Sequence, residues 1–372
     1  MLVLVTGGAG FIGSHMVDAL LYKGFDVRVL CNLQRPVHQA DKPKYLDPRA
    51  EFVLGDVRDK EKFSKCLQDV DFVFHMAAYQ DYLPDFSTYF YVNTVGTALL
   101  YEIIVEKKLP IKKVIVASSQ AVMGEGKYSC ATHGDFSPTI RSDEQLMKGD
   151  WEIRCPDCHF TTQYLWTDES VINPQNQYAM SKYSQEMLAI NLGKRYDIPT
   201  VCLRFSIVQG PRQSFYNAYS GAMRIFSLAL HQGKRPIIYE DGEQIRDFVN
   251  IYDVIDANML LMEKEKTDYQ VYNVGGGMAI TVNEFYKEVD SIYQTGIEPI
   301  NKGYYRYGDT RHIVSDVSKL QALGWKPKRG IRDSILSYKE FLESHDNIPD
   351  VLTKSIKEMK AQSIIRQATI RS

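Results

Sequence analysis

No run of apolar residues in this sequence reaches the roughly 20 needed to cross a bilayer. The opening Met1-Leu2-Val3-Leu4-Val5 leads straight into a glycine turn. With no basic leading region and no cleavage site, no secretory signal is expected. Cysteine is scarce: six in 372 residues do not make a disulfide framework. Cys31, Cys66 and Cys202 lie in apolar contexts and read as small core residues. Neither sign of charge dominates. Lys and Arg number 44 against 46 Asp and Glu, and this near-balance argues against broad electrostatic capture of nucleic acid or of an anionic membrane. There is no internal repeat and no low-complexity tract. A cytoplasmic globular protein with two subdomains is the expectation.

What is present is a rhythm. Leu2–Val5, Asp26–Leu30, Glu51–Leu54, Asp71–His75 and Lys113–Ala117 read as strands apolar on both faces. Residues 12–23, 60–68 and 93–107 carry helical spacing between them. That alternation predicts an α/β fold with a doubly wound parallel sheet over residues 1–205. Residues 124–170, rich in glycine and mixed charge, read as an irregular insertion. A smaller mixed α+β lobe is expected over 206–345, with 246–275 returning to the first domain. Residues 346–372, rich in Lys and Arg, read as an exposed helical tail.

Gly7-Gly8-Ala9-Gly10-Phe11-Ile12-Gly13 follows the first strand and opens the first helix. In that context the glycines carry a dinucleotide-binding meaning. Gly7 permits the tight turn, Gly10 lets the backbone approach a pyrophosphate, and Gly13 allows close helix–strand packing. The N–H groups of Phe11 and Ile12 would hold the phosphates at the helix N-terminus. The acidic residue that ordinarily holds the adenosine ribose is replaced by Cys31-Asn32, with Arg35 close behind, so NADP stays open beside NAD. Asp56, followed by Val57, suits an adenine amino group, or simply caps its loop.

Tyr178 and Lys182 stand one helical turn apart on one face. A cation beside the phenol, joined by an oxidised nicotinamide ring, lowers the cost of the phenolate and makes a general base. Ser119 ends a strand at the sheet edge where ligands bind, placed to share a substrate hydroxyl with Tyr178.

Taken together with Gly55-Asp56-Val57, His75-Met76-Ala77-Ala78, Asn93-Thr94, Gly210-Pro211-Arg212-Gln213 and Arg246-Asp247-Phe248-Val249, these motifs give a chain that resembles extended short-chain dehydrogenase/reductases of the NAD-dependent epimerase/dehydratase family. The resemblance covers nearly the whole chain. It implies that Met76, Ala77, Ala78, Asn93 and Phe205 line the cofactor and that Ser119, Tyr178 and Lys182 do the chemistry. It also implies that Tyr239 packs on a nucleotide base, that Arg212, Arg246 and Arg306 meet the diphosphate, and that two copies pair through the helices near 93–107 and 178–196 into a homodimer. The block Tyr305–His312 and the stretch Gly149-Asp150-Trp151-Glu152 resemble the dTDP-L-rhamnose 4-epimerase branch. Three positions depart from the pattern: Cys31, Met123 where relatives carry tyrosine, and Ile207 where an asparagine often meets substrate phosphate.

The resemblance further implies that relatives which eliminate water or carbon dioxide carry acidic residues just after the catalytic Ser/Thr. Here Gln120-Ala121 stands there. Without an added acid or base, hydride return to the other face of a 4-keto sugar is the simplest outcome. The expected activity is therefore 4-epimerisation of a dTDP-, UDP- or GDP-linked sugar. A keto-sugar reductase, a dehydratase and a non-catalytic nucleotide sensor are the alternatives.

Cys130-Ala131-Thr132-His133 and Cys155-Pro156-Asp157-Cys158 together offer three sulfurs and one imidazole, a closed set for structural zinc. The competing readings are a redox Cys-x-x-Cys and a disulfide from 130 to 155. His159 is a second candidate for the imidazole.

Overall fold

The protein is described here from a computed structural model, which covers residues 1–39, 41–81, 84–217 and 221–369. Its first half runs β1 (Leu2–Thr6), α1 (Phe11–Tyr22), β2 (Asp26–Cys31), β3 (Glu51–Leu54), α2 (Lys60–Cys66), β4 (Phe72–His75), α3 (Phe86–Tyr89), a π-helical turn Phe90–Val95, α4 (Gly96–Lys107) and β5 (Lys113–Ser119). The insertion carries β6 (Lys127–Cys130), β7 (Gly134–Phe136), α5 (Asp143–Met147) and β8 (Gln163–Leu165), and the chain returns through α6 (Gln177–Arg195) and β9 (Thr200–Phe205). Beyond lie β10 (Ile207–Gln209), α7 (Ala222–His231), β11 (Ile245–Arg246), β12 (Phe248–Asn250), α8 (Ile251–Glu263), β13 (Gln270–Val274), β14 (Ile280–Thr281) and α9 (Val282–Tyr293). The last elements are β15 (Tyr304–Arg306), α10 (Ser318–Gln321), α11 (Ile331–Glu343), α12 (Val351–Ala361) and β16 (Ile365–Gln367).

Seven strands pair in parallel in the order β13-β9-β5-β4-β1-β2-β3. Alternate residues of each strand feed opposite faces, which is why the strands are apolar throughout. Val3, Val5, Ile115 and Leu203 pack with α1 and α8 on one face. Leu4, Val114, Val116 and Cys202 pack with α2, α4 and α6 on the other. The strand order reverses between β1 and β4, and a crevice opens there at the carboxyl ends of the strands.

The structure revises two expectations. The insertion is built rather than irregular: β7, β6 and β8 form an antiparallel sheet. Its strands of three or four residues are too short to show periodicity in sequence. The tail is docked rather than solvated. Leu352 on α12 is buried, and β16 pairs antiparallel with β15. Beyond α8 the chain adds β13 to the edge of the large sheet, next to β9. The second lobe has its own core, in which Phe226 on α7, Phe285 on α9 and Phe248 on β12 pack together.

Candidate active site

The helix that carries Tyr178 and Lys182, α6, begins where Asn176 caps it, accepting from the Ala179 N–H at 2.9 Å. Tyr178 therefore lies in the first turn, where the positive end of the helix favours an anion. Burial pushes the phenol up to about 12, and the hydrogen bond with Ser119 pulls in the other direction. One turn later Lys182 is fully enclosed. Its Nζ donates to the Ala117 carbonyl and to Gln185 Oε1, each at 2.5 Å, and burial brings the ammonium down to about 7. Gln185, which the sequence reading missed, in turn donates to Thr97 Oγ1 at 2.8 Å.

A buried ion pair seats this helix on the sheet. Arg204 of β9 meets Glu186 through Nε at 3.0 Å and Nη2 at 2.7 Å, and Ser118 donates to the same carboxylate at 2.9 Å. Ser118 is thereby spoken for, whereas Ser119 shares the Tyr178 hydrogen bond and accepts from the Ala121 N–H at 3.1 Å. Gln120 turns inward and donates to Ser206 Oγ (3.1 Å) and Ser315 Oγ (2.8 Å). Buried Asp247 completes that cluster, accepting from Ser206 at 2.7 Å and from the Gly276 N–H at 2.7 Å.

The glycine turn fits a pyrophosphate. Gly7 has φ +65°, and a Cβ on Gly13 would stand 2.3 Å from the Gly7 carbonyl oxygen. No side chain caps α1, so the amides of its first turn stay available to a ligand, and Phe11 and Ile12 border the cleft. Met76 and Ala77 back the turn: a Cβ on Gly7 would touch both. Asn93 brackets Tyr79, donating to its carbonyl at 3.0 Å and accepting from its N–H at 2.8 Å, which fixes the loop that follows β4 just after Ala78. At the far edge Cys31 is buried with Sγ 3.9 Å from His38 Nε2. Asn32 donates to Asp56 at 2.8 Å, and Arg58, a partner the sequence reading overlooked, pairs with Asp56 at 2.7 Å.

A cleft of about 490 Å³ runs from this turn into the second lobe, bordered by Ser119, Tyr178, Phe205, Tyr239, Arg246 and Arg306. The Arg306 guanidinium lies 4.6 Å from the Tyr239 ring centroid and pairs with Asp309. Arg246 spends donors on the carbonyls of Ile245, Thr310 and Arg311 at 2.7–2.9 Å. Arg212 is not brought to this cleft: it pairs with Asp18 of α1 at 2.7 Å and lies over Tyr45. Behind Tyr239, Glu240 is clamped between Arg141 and Arg311 at 2.8 and 3.0 Å. Isolated charges in the sequence gave no signal of that pairing.

The arrangement joins a tight glycine turn at an uncapped helix start, a tyrosine–lysine–serine set and a cleft bordered by Arg246 and Arg306. The model of the family described as "NAD dependent epimerase/dehydratase family" matches residues 3–142 and 156–275, leaving out part of the insertion. The chain belongs to this family. It is 32% identical over 340 residues to a dTDP-L-rhamnose 4-epimerase of Burkholderia thailandensis, covering 90% of this chain and 92% of that one. A UDP-glucose 4-epimerase of Thermotoga maritima, solved with UDP-glucose, superposes with a TM-score of 0.75 at 30% identity, over 92% of this chain and 99% of that one. A UDP-glucuronic acid 4-epimerase of Bacillus cereus, solved with NAD, gives 0.74 at 25% identity, over 92% and 99%.

Outside the cleft, Cys130, His133, Cys155 and Cys158 converge, with donor atoms all within 4.8 Å of one another. Cys130 Sγ is 3.6 Å from Cys158 Sγ and 3.7 Å from His133 Nδ1, and Cys155 Sγ is 3.4 Å from the same nitrogen. Neither Cys130 nor Cys155 is in a disulfide. No helix among the described residues is long and apolar enough to cross a membrane.

Proposed function

We propose that this protein is an NAD-dependent nucleotide-sugar 4-epimerase. NAD, when bound, supplies the hydride acceptor for carbon 4 and gives the hydride back. Tyr178 takes the proton of the 4-hydroxyl and later returns it, while Ser119 holds that oxygen in place. Lys182, one turn along the same helix, would favour the ionised phenol when it carries its proton. Tyr239 packs on the base, and Arg246 and Arg306 face the diphosphate. One observation carries the choice of reaction: the position after Ser119 is Gln120, whose amide is held by two serines, and Ala121 follows. Neither is an acid or base, so nothing there drives elimination from the keto sugar. Denaturing the purified protein and assaying the released nicotinamide nucleotide tests this reading. NAD or NADH near one per chain is expected; cofactor-free protein that consumes NAD(P)H stoichiometrically would make it a reductase.

The Cys/His cluster fits a structural zinc ion. Tetrahedral ligands at ordinary Zn–S and Zn–N lengths stand about 3.6–3.8 Å apart, close to the 3.4–3.7 Å of the Cys130–Cys158, Cys130–His133 and Cys155–His133 pairs. All four positions would be protein, leaving no open site for chemistry. Elemental analysis is expected to find about one zinc per chain, lost in Cys155→Ser/Cys158→Ser; metal-free folded protein would contradict this.

A homodimer through α4 and α6 is supported by Tyr91, Val95, Met180 and Met187, apolar residues exposed on this pair of elements and the turn before α4. Ile103, by contrast, is core. A monomeric mass by light scattering at micromolar concentration would refute the dimer.

A further inference from the structure

Residues 346–369 are tied down near both ends, and α12 between the ties borders the cleft. At its start Lys234, just past α7, pairs with Asp350 at 2.5 Å, and the Gln232 amide donates to the carbonyls of Ile348 and Pro349. Asp350 also caps α12, accepting from the Thr353 N–H at 3.2 Å. At its end β16 pairs with β15, with Ile365 opposite Arg306, the residue that stacks on Tyr239. Arg366 pairs with Asp143 at 2.6 Å, and Ala368 packs with Leu146, Trp151 and Tyr305. Between these ties α12 turns Leu352, Thr353, Ser355, Ile356 and Met359 to the cleft. Four of these, at 352, 355, 356 and 359, have the spacing of a single helical face. Opposite them α7 offers Ala222, Ile225, Phe226 and Ala229, which repeat that spacing.

We infer that α12 is the outer wall of the nucleoside subsite, and that Ile356 and Met359 pack against the base or its ribose across from Tyr239. This rests on the nucleotide-sugar reading above and adds a recognition element from the far end of the chain. The chemistry suits it. Two apolar faces sandwich a flat heterocycle, the hydroxyls of Thr353 and Ser355 are within the same cleft, and Arg246 and Arg306 await the phosphates further in.

The test is titration of the full-length protein with UDP, dTDP and GDP by calorimetry, together with NAD binding. In Ile356→Trp the added ring intrudes on the subsite. The dissociation constant for the preferred nucleoside diphosphate is expected to rise at least tenfold, with NAD affinity and thermal midpoint kept. Ile356→Ala should rise less, about threefold. In turnover the loss should appear in KM, with kcat nearly unchanged. Removal of residues 346–372 should reproduce the loss and relax the preference among the three diphosphates. Equal nucleoside diphosphate affinity in Ile356→Trp overturns the inference, as does a parallel loss of NAD binding, which would make α12 a general support of the fold. If the unaltered protein binds none of the three diphosphates, the nucleotide-sugar reading itself fails.

Discussion

Replacing Tyr178 with phenylalanine removes one oxygen from an enclosed site and little else. The hydroxyl's contact is Ser119, and Ser119 keeps its bond from the Ala121 N–H. Losing one neutral hydrogen bond costs about 0.5–1.5 kcal/mol, so the variant should stay folded. The ring still fills the same space on α6, and Lys182 still donates to Ala117 and Gln185. Turnover should behave very differently. A positioned general base is worth about 100- to 10,000-fold, or about 2.7–5.4 kcal/mol at 1.36 kcal/mol per decade. Its phenol, pushed up to about 12 by burial, also means that the free protein holds the proton near neutrality. The base is then formed only once charge in the site favours the phenolate, so activity should climb with pH until that happens. The assay is 4-epimer formation by chromatography, alongside NAD content and thermal midpoint. Loss of at least about 100-fold with NAD retained is expected. Activity within a few-fold of the unaltered protein would show that another group moves the proton.

Glu186→Gln should destabilise the protein by about 3–5 kcal/mol, because it leaves Arg204 buried without its counter-charge; an unchanged urea midpoint would contradict the role given to this pair. Gly13→Ala puts a methyl 2.3 Å from the Gly7 carbonyl oxygen, so it should abolish NAD binding or folding, read by cofactor content and circular dichroism. His75, held neutral with a pKa near 3 by full burial, accounts for part of any acid lability. Its folded pKa lies below its unfolded value, so its contribution is complete above about pH 6.5 and is lost as pH falls toward 3. Between those limits His75→Asn should flatten the fall of stability by about 1.4 kcal/mol per pH unit, measured by urea unfolding; equal slopes would place the proton uptake elsewhere.

The large sheet was legible because its strands are apolar on both faces and its helices are long enough to show their period. The placement of Gly7 to Gly13 between β1 and α1, of Ser119 at the end of β5 and of Tyr178 and Lys182 one turn apart on α6 was legible for a different reason: it is set by spacing along one turn or one helix face. Arg212 shows where spacing stops helping. The next residue, Gln213, borders the cleft, but the Arg212 side chain leaves toward Asp18 and Tyr45. Glu240, Arg141 and Arg311 come from three distant segments, and only the folded chain brings them together. The docked tail was missed because Lys354, Lys357 and Lys360 give its helix a charged look, while the face formed by Leu352, Ile356 and Met359 occupies just two turns.

The central claim is tested most directly by incubating the purified protein, with no added cofactor, with dTDP-, UDP- and GDP-hexoses in turn, following both the sugar's configuration and the NADH absorbance band. The account predicts that one pair of 4-epimers interconverts to equilibrium with no net change in that band. Net accumulation or consumption of NADH, or a 6-deoxy-4-keto product, would contradict it.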